Sequence, residues 1–258
     1  MQKFVNKLSD WTKENLLKMA TDKCESFHFQ PNNNKTIYKY DETAIPQHEG
    51  QIRDLGVHLS PDFTFNYHIQ LIINKAKQKL YLLLKTLQSN DPNLLAQLYN
   101  VYVRPHLEYC APIFNPQTKK LSDKLERAQR LATRIICKRK PNLKTTSYED
   151  RLNALNLISL KNRRTAGDLD FFHKIYFNKA LVDTNIPGFP RLAKTLPRHE
   201  GTRFVTPICK TKVRQNSFLI RTANSFNYLP RNLKLKFKQK NFKGLVLYHL
   251  CGGNFKGN

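Results

Sequence analysis

Carboxylates are scarce in this 258-residue chain, which has 19 Asp and Glu against 44 Lys and Arg and a formal net charge of +25 at pH 7. So few acidic side chains disfavour an active site in which several Asp or Glu residues hold metal ions. No two Asp residues are adjacent. We therefore expect neither a metal ion nor another cofactor. The excess positive charge predicts a polyanionic partner, with nucleic acid as the first candidate and an anionic membrane as the second.

Cysteine and long apolar runs are also limited. The five cysteines are odd in number and form no C-x-x-C pair, which argues against a disulfide framework or a structural zinc site. No stretch approaches the roughly 18 apolar residues that a membrane-spanning helix needs, and the first ten residues do not resemble a secretory signal. We expect an intracellular protein that does not enter a membrane, and its placement in nucleus or cytoplasm stays open.

Catalytic motifs are missing as well. The sequence has no P-loop, no dinucleotide-binding glycine motif, no H-E-x-x-H and no G-x-S-x-G. His106 and Glu108 could form an acid/base pair, but a pair at a helix end beside Pro105 is the simpler interpretation. We expect no catalysis by the chain alone.

The spacing of apolar residues predicts a mainly α fold in three parts. Residues 1–60 form a small α+β segment, residues 61–147 a helical bundle, and residues 148–258 a basic, partly helical extension. The net charge is zero in the first part and positive in the other two. Residues 185–258 contain 15 basic residues and a single acid, Glu200. A polyanion is therefore expected to bind after residue 60.

Individual elements follow from periodicity and breakers. Residues 24–29, 37–40 and 52–59 are predicted strands, with Leu55, Val57 and Leu59 on one face of the last. Asp91 and Pro92 predict the start of a helix that Pro105 ends or kinks. Longer helices are predicted at 65–87, 121–136, 160–178, 217–226 and 242–250. A proline-rich basic loop is predicted at 187–207.

Basic side chains recur on the predicted helix at 121–136. Lys120, Arg127 and Arg134 follow each other every seven residues, so they share one side and can track a phosphate backbone. Lys124 and Lys138 flank them. The full predicted nucleic-acid-binding set is Lys75, Lys79, Lys120, Lys124, Arg127, Arg130, Arg134, Lys138, Arg139, Lys140, Arg163 and Arg164. A solvated basic face without a partner is the alternative interpretation.

Several motifs occur in an order that is similar to one known family. They are Trp11…Asn15-Leu16, Lys23-Cys24, Asp54-Leu55-Gly56-Val57, His68-Ile69, Lys75-Ala76, Tyr102-Val103-Arg104-Pro105-His106-Leu107-Glu108-Tyr109, Leu125-Glu126-Arg127-Ala128-Gln129-Arg130, and Ser217-Phe218…Arg221-Thr222-Ala223…Phe226-Asn227-Tyr228-Leu229-Pro230. Nearly the whole chain resembles the part that follows the catalytic motif in non-LTR (LINE-type, jockey-like) retrotransposon reverse transcriptases. It departs from that pattern at Ala20, Phe114 and Phe226.

The resemblance implies the end of a polymerase palm, a thumb and a basic extension. Lys23 would help to position the incoming nucleotide, and Leu55, Gly56 and Val57 would be the strand region that holds the primer end. The family's catalytic Asp motifs would precede Met1, so we expect no polymerase activity from this chain alone. The implied partner is RNA or an RNA–DNA hybrid.

Two other functions stay open. The chain could be a domesticated protein-interaction module, or a degenerate element product with no selected activity. A palm remnant without its neighbouring strands would also expose a sheet edge, which predicts self-association or a protein partner through residues 1–60.

Overall fold

The computed structural model describes residues 1–29, 35–116, 118–140, 147–177, 189–193 and 202–253. The fold is mainly helical, as the sequence predicts, and the described ranges contain three small two-stranded antiparallel sheets. The chain divides into two compact units, Met1–His68 and Ile69–Asn258, which are described separately. The three-part division drawn from the sequence stays a prediction.

The described residues of the first unit form one complete α-helix, a 3₁₀ turn and two hairpins. Its elements are α1 (Gln2–Glu14), a 3₁₀ turn (Thr21–Lys23), β1 (Lys39–Tyr40), β2 (Thr43–Ala44), β3 (Ile52–Asp54) and β4 (Val57–Leu59). The helix packs on the first hairpin: the Thr12 and Tyr40 hydroxyls are 2.6 Å apart, and Lys13 Nζ lies 2.8 Å from Asp41 Oδ1.

The strand predicted at 52–59 is wrong, because the chain reverses in its middle. Ile52 pairs with Leu59 and Asp54 with Val57, and both residues between them have positive φ, +43° at Leu55 and +87° at Gly56. Two positive φ angles define the type I′ turn that suits the twist of a two-residue hairpin. Leu55 therefore lies at the tip, 85% exposed, whereas Val57 is 3% exposed. Of the strand predicted at 24–29, a single bridge from Ser26 to Gln47 is present.

Helix α2 (Asn66–Thr86) begins in the first unit and continues into the second. The next elements are α3 (Pro92–Leu98), a π turn (Tyr99–Val103), α4 (Arg104–Glu108), α5 (Ala111–Phe114) and α6 (Lys119–Lys138). Asp91 caps α3 as predicted, since its carboxylate accepts a 2.9 Å hydrogen bond from the Asn93 amide. Pro105, which has no amide proton, lies in the first turn of α4, and the wider π turn precedes it.

The remaining elements confirm most of the predicted helices and add a hairpin. They are α7 (Tyr148–Ala154), α8 (Leu160–Phe177), β5 (Arg191–Leu192), β6 (Phe204–Val205), α9 (Lys212–Gln215), α10 (Phe218–Asn227), α11 (Arg231–Leu235) and α12 (Phe242–Leu250). The antiparallel pair β5–β6 lies within the predicted basic loop, of which residues 194–201 are outside the described ranges.

An aromatic cluster organises the end of the chain. Phe226 and Phe237 have ring centroids 4.7 Å apart in an edge-to-face arrangement, and Phe237 meets Phe242 in the same way at 5.1 Å. Phe172 of α8 contacts Phe204 of β6 at 4.9 Å. Edge-to-face rings each add to the stabilisation from burial. The basic extension therefore has a hydrophobic core centred on α8, α10 and α12.

A buried carboxylate joins α6 to α8. Glu126 is 7% exposed, and its Oε1 accepts hydrogen bonds from the Tyr148 hydroxyl at 2.6 Å and the Leu160 amide at 3.1 Å. Its Oε2 accepts from the Lys161 amide at 3.2 Å. These amides open α8, where backbone N–H groups lack intrahelical partners and the helix dipole favours a negative charge. Burial, followed by the charge of Glu126, raises the pKa of Tyr148.

Gln129 lies one turn further along α6 and is fully buried. Its amide oxygen accepts from the Tyr99 hydroxyl at 3.0 Å. Its amide nitrogen donates to the Tyr148 hydroxyl at 3.1 Å and to the Ile158 carbonyl at 2.9 Å. Because the oxygen and both N–H groups are used, the amide orientation is fixed and the π turn, α6, α7 and the start of α8 share one polar network.

We predict that Glu126→Ala lowers the free energy of unfolding by about 3 kcal/mol, because it leaves the buried Leu160 amide, the part-buried Lys161 amide and the Tyr148 hydroxyl without their acceptor. Glu149→Ala is the control, since Glu149 is exposed on α7 and is expected to change stability by less than about 1 kcal/mol. Denaturant unfolding followed by circular dichroism measures both. Equal losses for the two variants would show that Glu126 does not cap α8.

Candidate nucleic-acid interface

One side of α6 is basic and the opposite side is core. Leu125, Ala132 and Ile136 are at most 1% exposed. Five cations face away from them, all exposed except the half-buried Lys124, and together they are called the α6 stripe: Lys120, Lys124, Arg127, Arg134 and Lys138. At 3.6 residues per turn and 1.5 Å per residue, the stripe occupies an arc of about 80° and a length of about 27 Å.

The cations of the α6 stripe are not neutralised by any residue that the structure describes. None of the five forms an ion pair or a side-chain hydrogen bond with any residue in the described ranges. One half-buried carboxylate, Asp123, lies at the edge of the arc. The half-buried Leu131 lies within the arc, between the cations. The stripe therefore presents an excess of unpaired positive charge on a rigid helix.

Arg130 lies beside the stripe and is partly committed to packing. Its guanidinium lies 5.0 Å from the centroid of the Tyr148 ring, and Arg151 lies 5.7 Å from the same centroid. A cation over an aromatic face is held by the ring quadrupole. Arg130 is exposed but is fixed in position by this contact.

Arg139 is a structural residue, so its predicted role as a phosphate contact is corrected. Its Nη1 donates to the carbonyls of Leu87 at 2.6 Å and Ser89 at 3.2 Å, and its Nη2 donates to the Leu84 carbonyl at 2.6 Å. These carbonyls lie at the end of α2, where they lack helical partners. Lys140, the next residue, is exposed.

The predicted second cluster, Arg163 and Arg164, does not form a free basic surface. Arg163 makes a two-bond contact with Glu108, in which Nη2 lies 3.0 Å from Oε2, and Arg104 Nε lies 3.6 Å from the same carboxylate. Arg164 is 4% exposed and donates from Nη2 to the Ser122 hydroxyl at 3.1 Å. Burial lowers the pKa of Arg164, and nearby carboxylates, first Glu126, oppose that shift.

Other predicted positions are distributed over both units. Lys75 and Lys79 are exposed one turn apart on α2. In the first unit, Lys23 is exposed at the end of the 3₁₀ turn. Leu55 and Gly56 form a hairpin tip, so their description as strand is corrected, whereas Val57 begins β4.

The chain contains one Asp-x-Asp spacing, Asp168 and Asp170 on α8, and both carboxylates are paired. Asp168 is 4% exposed and accepts from Arg221 Nε at 3.0 Å and Asn115 Nδ2 at 2.7 Å. Asp170 lies 3.0 Å from Lys174 Nζ and 3.7 Å from Lys243 Nζ. No group of three metal-ligating side chains is present in the described ranges.

Periodicity alone missed Arg221, which connects three elements. Besides Asp168 of α8, its guanidinium donates to the Pro112 carbonyl of α5 at 2.5 Å and to the Asn216 carbonyl at 3.0 Å. Arg221, Glu108, Glu126 and Gln129 all belong to the motifs that carry the family resemblance. Those motifs mix polar and apolar residues, so no signal in the sequence separates these buried polar side chains from exposed ones.

The chain is 33% identical over 125 residues to uncharacterized protein B0403.1 of Caenorhabditis elegans. The aligned part covers 48% of this chain and 63% of that protein, so the chain spans less than two thirds of its relative. No known protein family and no solved structure matches the chain. In the described ranges no helix is both long and apolar enough to cross a membrane.

We predict that Leu55→Asn stabilises the β3–β4 hairpin by about 1 kcal/mol, because Asn adopts positive φ at lower cost than Leu. Amide hydrogen exchange at Val57 should slow about fivefold. Gly56→Ala should have the opposite effect, since its φ of +87° disfavours a side chain. Unchanged exchange in Leu55→Asn would contradict the assigned turn.

Proposed function

We propose that this chain binds nucleic acid through the phosphate backbone and that the α6 stripe is the principal contact. The observation that carries the proposal is a set of five cations, without partners among the described residues, on one side of a 20-residue helix whose other side is buried. Lys140, beyond the helix end, extends the charge, and Lys75 and Lys79 on α2 supply further cations. Each phosphate that such a surface neutralises releases condensed counterions, which favours binding.

The charge balance of the whole chain supports this proposal. Three carboxylates of the second unit are buried or half-buried and already have partners. Glu108 and Asp168 form ion pairs with arginines, and Glu126 accepts a hydrogen bond from an amide that begins α8. They cannot neutralise the surface lysines and arginines. An excess of +25 that is not compensated internally raises the local concentration of a polyanion and its rate of association.

We further propose that the chain is related to the end of palm, the thumb and the extension of non-LTR retrotransposon reverse transcriptases, with RNA or an RNA–DNA hybrid as partner. Support comes from the positions of the motif residues. Glu108, Glu126 and Arg221 come from three separate motifs and each fixes a contact between helices. The motifs thus coincide with the residues that the fold of this chain requires.

A protein partner is the second candidate function. Four apolar side chains close together along the chain are more than half exposed: Val101, Tyr102, Tyr109 and Ile113. A surface patch formed by several exposed apolar side chains favours a protein contact. Co-purification that survives nuclease treatment and is lost in Tyr102→Ser and Ile113→Ser would support this function.

We predict that replacing Arg127 and Arg134 with Ala reduces the dependence of duplex affinity on salt. Each lost phosphate contact removes about 0.9 from the slope of log affinity against log salt, so the slope should change by about two units. The matched control is Lys77→Ala with Lys85→Ala, which removes two exposed cations of α2 that were not assigned to the interface. Fluorescence anisotropy over a salt series measures both variants.

The expected result is an altered slope for the α6 variant and a smaller effect for the control, with equal thermal stability. If the slope of log affinity against log salt is equal for wild type and the α6 variant, the phosphate contact does not lie on α6. An absence of nucleic-acid binding by wild type at low salt would contradict the proposed function itself.

A further inference from the structure

A second concave surface, distinct from the α6 stripe, lies within the second unit. This basic cleft has a volume of about 980 Å³ and lies between the π turn and α4, the start and middle of α8, and α12. Its cations come from three elements: Arg104, Arg163, Lys174, Lys240 and Lys243. The volume is at the upper end of the range for pockets that enclose small ligands.

The cleft keeps a positive charge after its internal ion pairs are counted. Asp170 is the one carboxylate among the described residues that line it, and it is shared by Lys174 and Lys243. Glu108, which lines an adjoining recess, lies against Arg104 and Arg163. Lys240 is exposed and has no ion-pair partner among the described residues. An anionic group that enters the cleft therefore meets more cations than carboxylates.

Polar amides and one aromatic ring complete the lining. Asn100, Asn156 and Asn241 contribute side-chain amides. Arg104 Nη1 donates to the amide oxygen of Asn100 at 2.6 Å, which leaves the amide N–H groups of Asn100 as donors. Tyr248 is 55% exposed, so a face or edge of its ring is accessible. Amides can bind base edges, and an exposed ring can stack on a base.

The recess of about 190 Å³ continues the cleft inward through Arg163, Lys243 and Leu247. Arg164 lines it, and the buried Nη1 of this arginine has no hydrogen-bond partner in the part of the chain that the structure describes. A buried charged donor without a partner is costly, and an anion or a polar group in the recess would satisfy it. Among the described residues, the recess is lined by three cations, Arg163, Arg164 and Lys243, and by two carboxylates, Glu108 and Asp168.

We propose that the basic cleft binds single-stranded nucleic acid, with a phosphate beside Lys240, Lys243 and Arg163 and a base against Tyr248. This inference rests on the proposed nucleic-acid binding and adds a second site with a different substrate form. A duplex keeps its bases stacked and must extrude one before it can enter a pocket, whereas a single strand offers its bases directly. The α6 stripe contacts backbone, and the basic cleft contacts backbone and base.

The test compares single-stranded RNA and DNA with a duplex of the same sequence, each about 12 nucleotides long, by fluorescence anisotropy. Tyr248→Leu should weaken single-strand binding about tenfold and leave duplex binding unchanged, because it removes stacking without changing charge. Lys240→Ala should also weaken single-strand binding, and Lys238→Ala is its matched control, since Lys238 is exposed but does not line the cleft.

A second variant tests the cleft without removing charge or an aromatic core contact. A Cβ at Gly244 would lie 2.4 Å from the Asn241 amide oxygen, so Gly244→Ala must displace that amide within the cleft. Ala favours the helix more than Gly does, so α12 should remain folded. We expect single-strand affinity to fall at least threefold at unchanged thermal stability.

The outcomes separate this inference from the proposed function. If Tyr248→Leu and Gly244→Ala bind single strands as wild type does, while the Arg127 and Arg134 variant loses duplex affinity, the cleft proposal is wrong and the α6 proposal stands. If wild type binds neither form, both are wrong. Equal losses of single-strand and duplex affinity in the cleft variants would also overturn the assignment of the cleft to single strands.

Discussion

The second unit depends on the Glu126 carboxylate at the start of α8. This carboxylate is buried beneath Tyr148 and accepts from two backbone amides that no helical carbonyl reaches, so it fixes where α8 begins against α6. Glu108 and Asp168 also join elements of this unit, by ion pairs with Arg163 and Arg221 respectively. A chain with 19 acids therefore uses three of them to join α4, α6, α8 and α10, and breaking such a contact leaves a buried or half-buried polar group without its partner.

These contacts separate the cations into two classes. Among the cations that bind carboxylates, carbonyls or a hydroxyl inside the second unit are Arg139, Arg163, Arg164 and Arg221, whose planar fork can make several hydrogen bonds at once. The α6 stripe mixes lysine and arginine and makes no such contacts among the described residues. The proposal for the α6 stripe follows from this separation, because cations without such internal contacts stay available to a phosphate backbone.

The sequence predicted the helices well and the roles of the arginines poorly. Long apolar stripes such as that of α6 predict a buried face directly, and Asp91-Pro92 predicted a helix start, because these signals are local. The β3–β4 hairpin was missed because Leu55-Gly56 is not a typical type I′ pair. Arg163 and Arg164 looked like a surface cluster because their partners, Glu108 and Ser122, are 55 and 42 residues away. Periodicity gives a side chain's face and cannot give such a distant partner.

Amine-reactive footprinting of the whole chain, with and without a nucleic-acid duplex, tests the central claim most directly, because it reports each lysine separately without a mutation. If the unpaired cations of α6 hold the phosphate backbone, Lys120, Lys124 and Lys138 lose reactivity on binding, whereas Lys77 and Lys85 on α2 retain it. Unchanged reactivity at all three α6 lysines, with protection confined to the lysines of residues 234–243, would contradict the account.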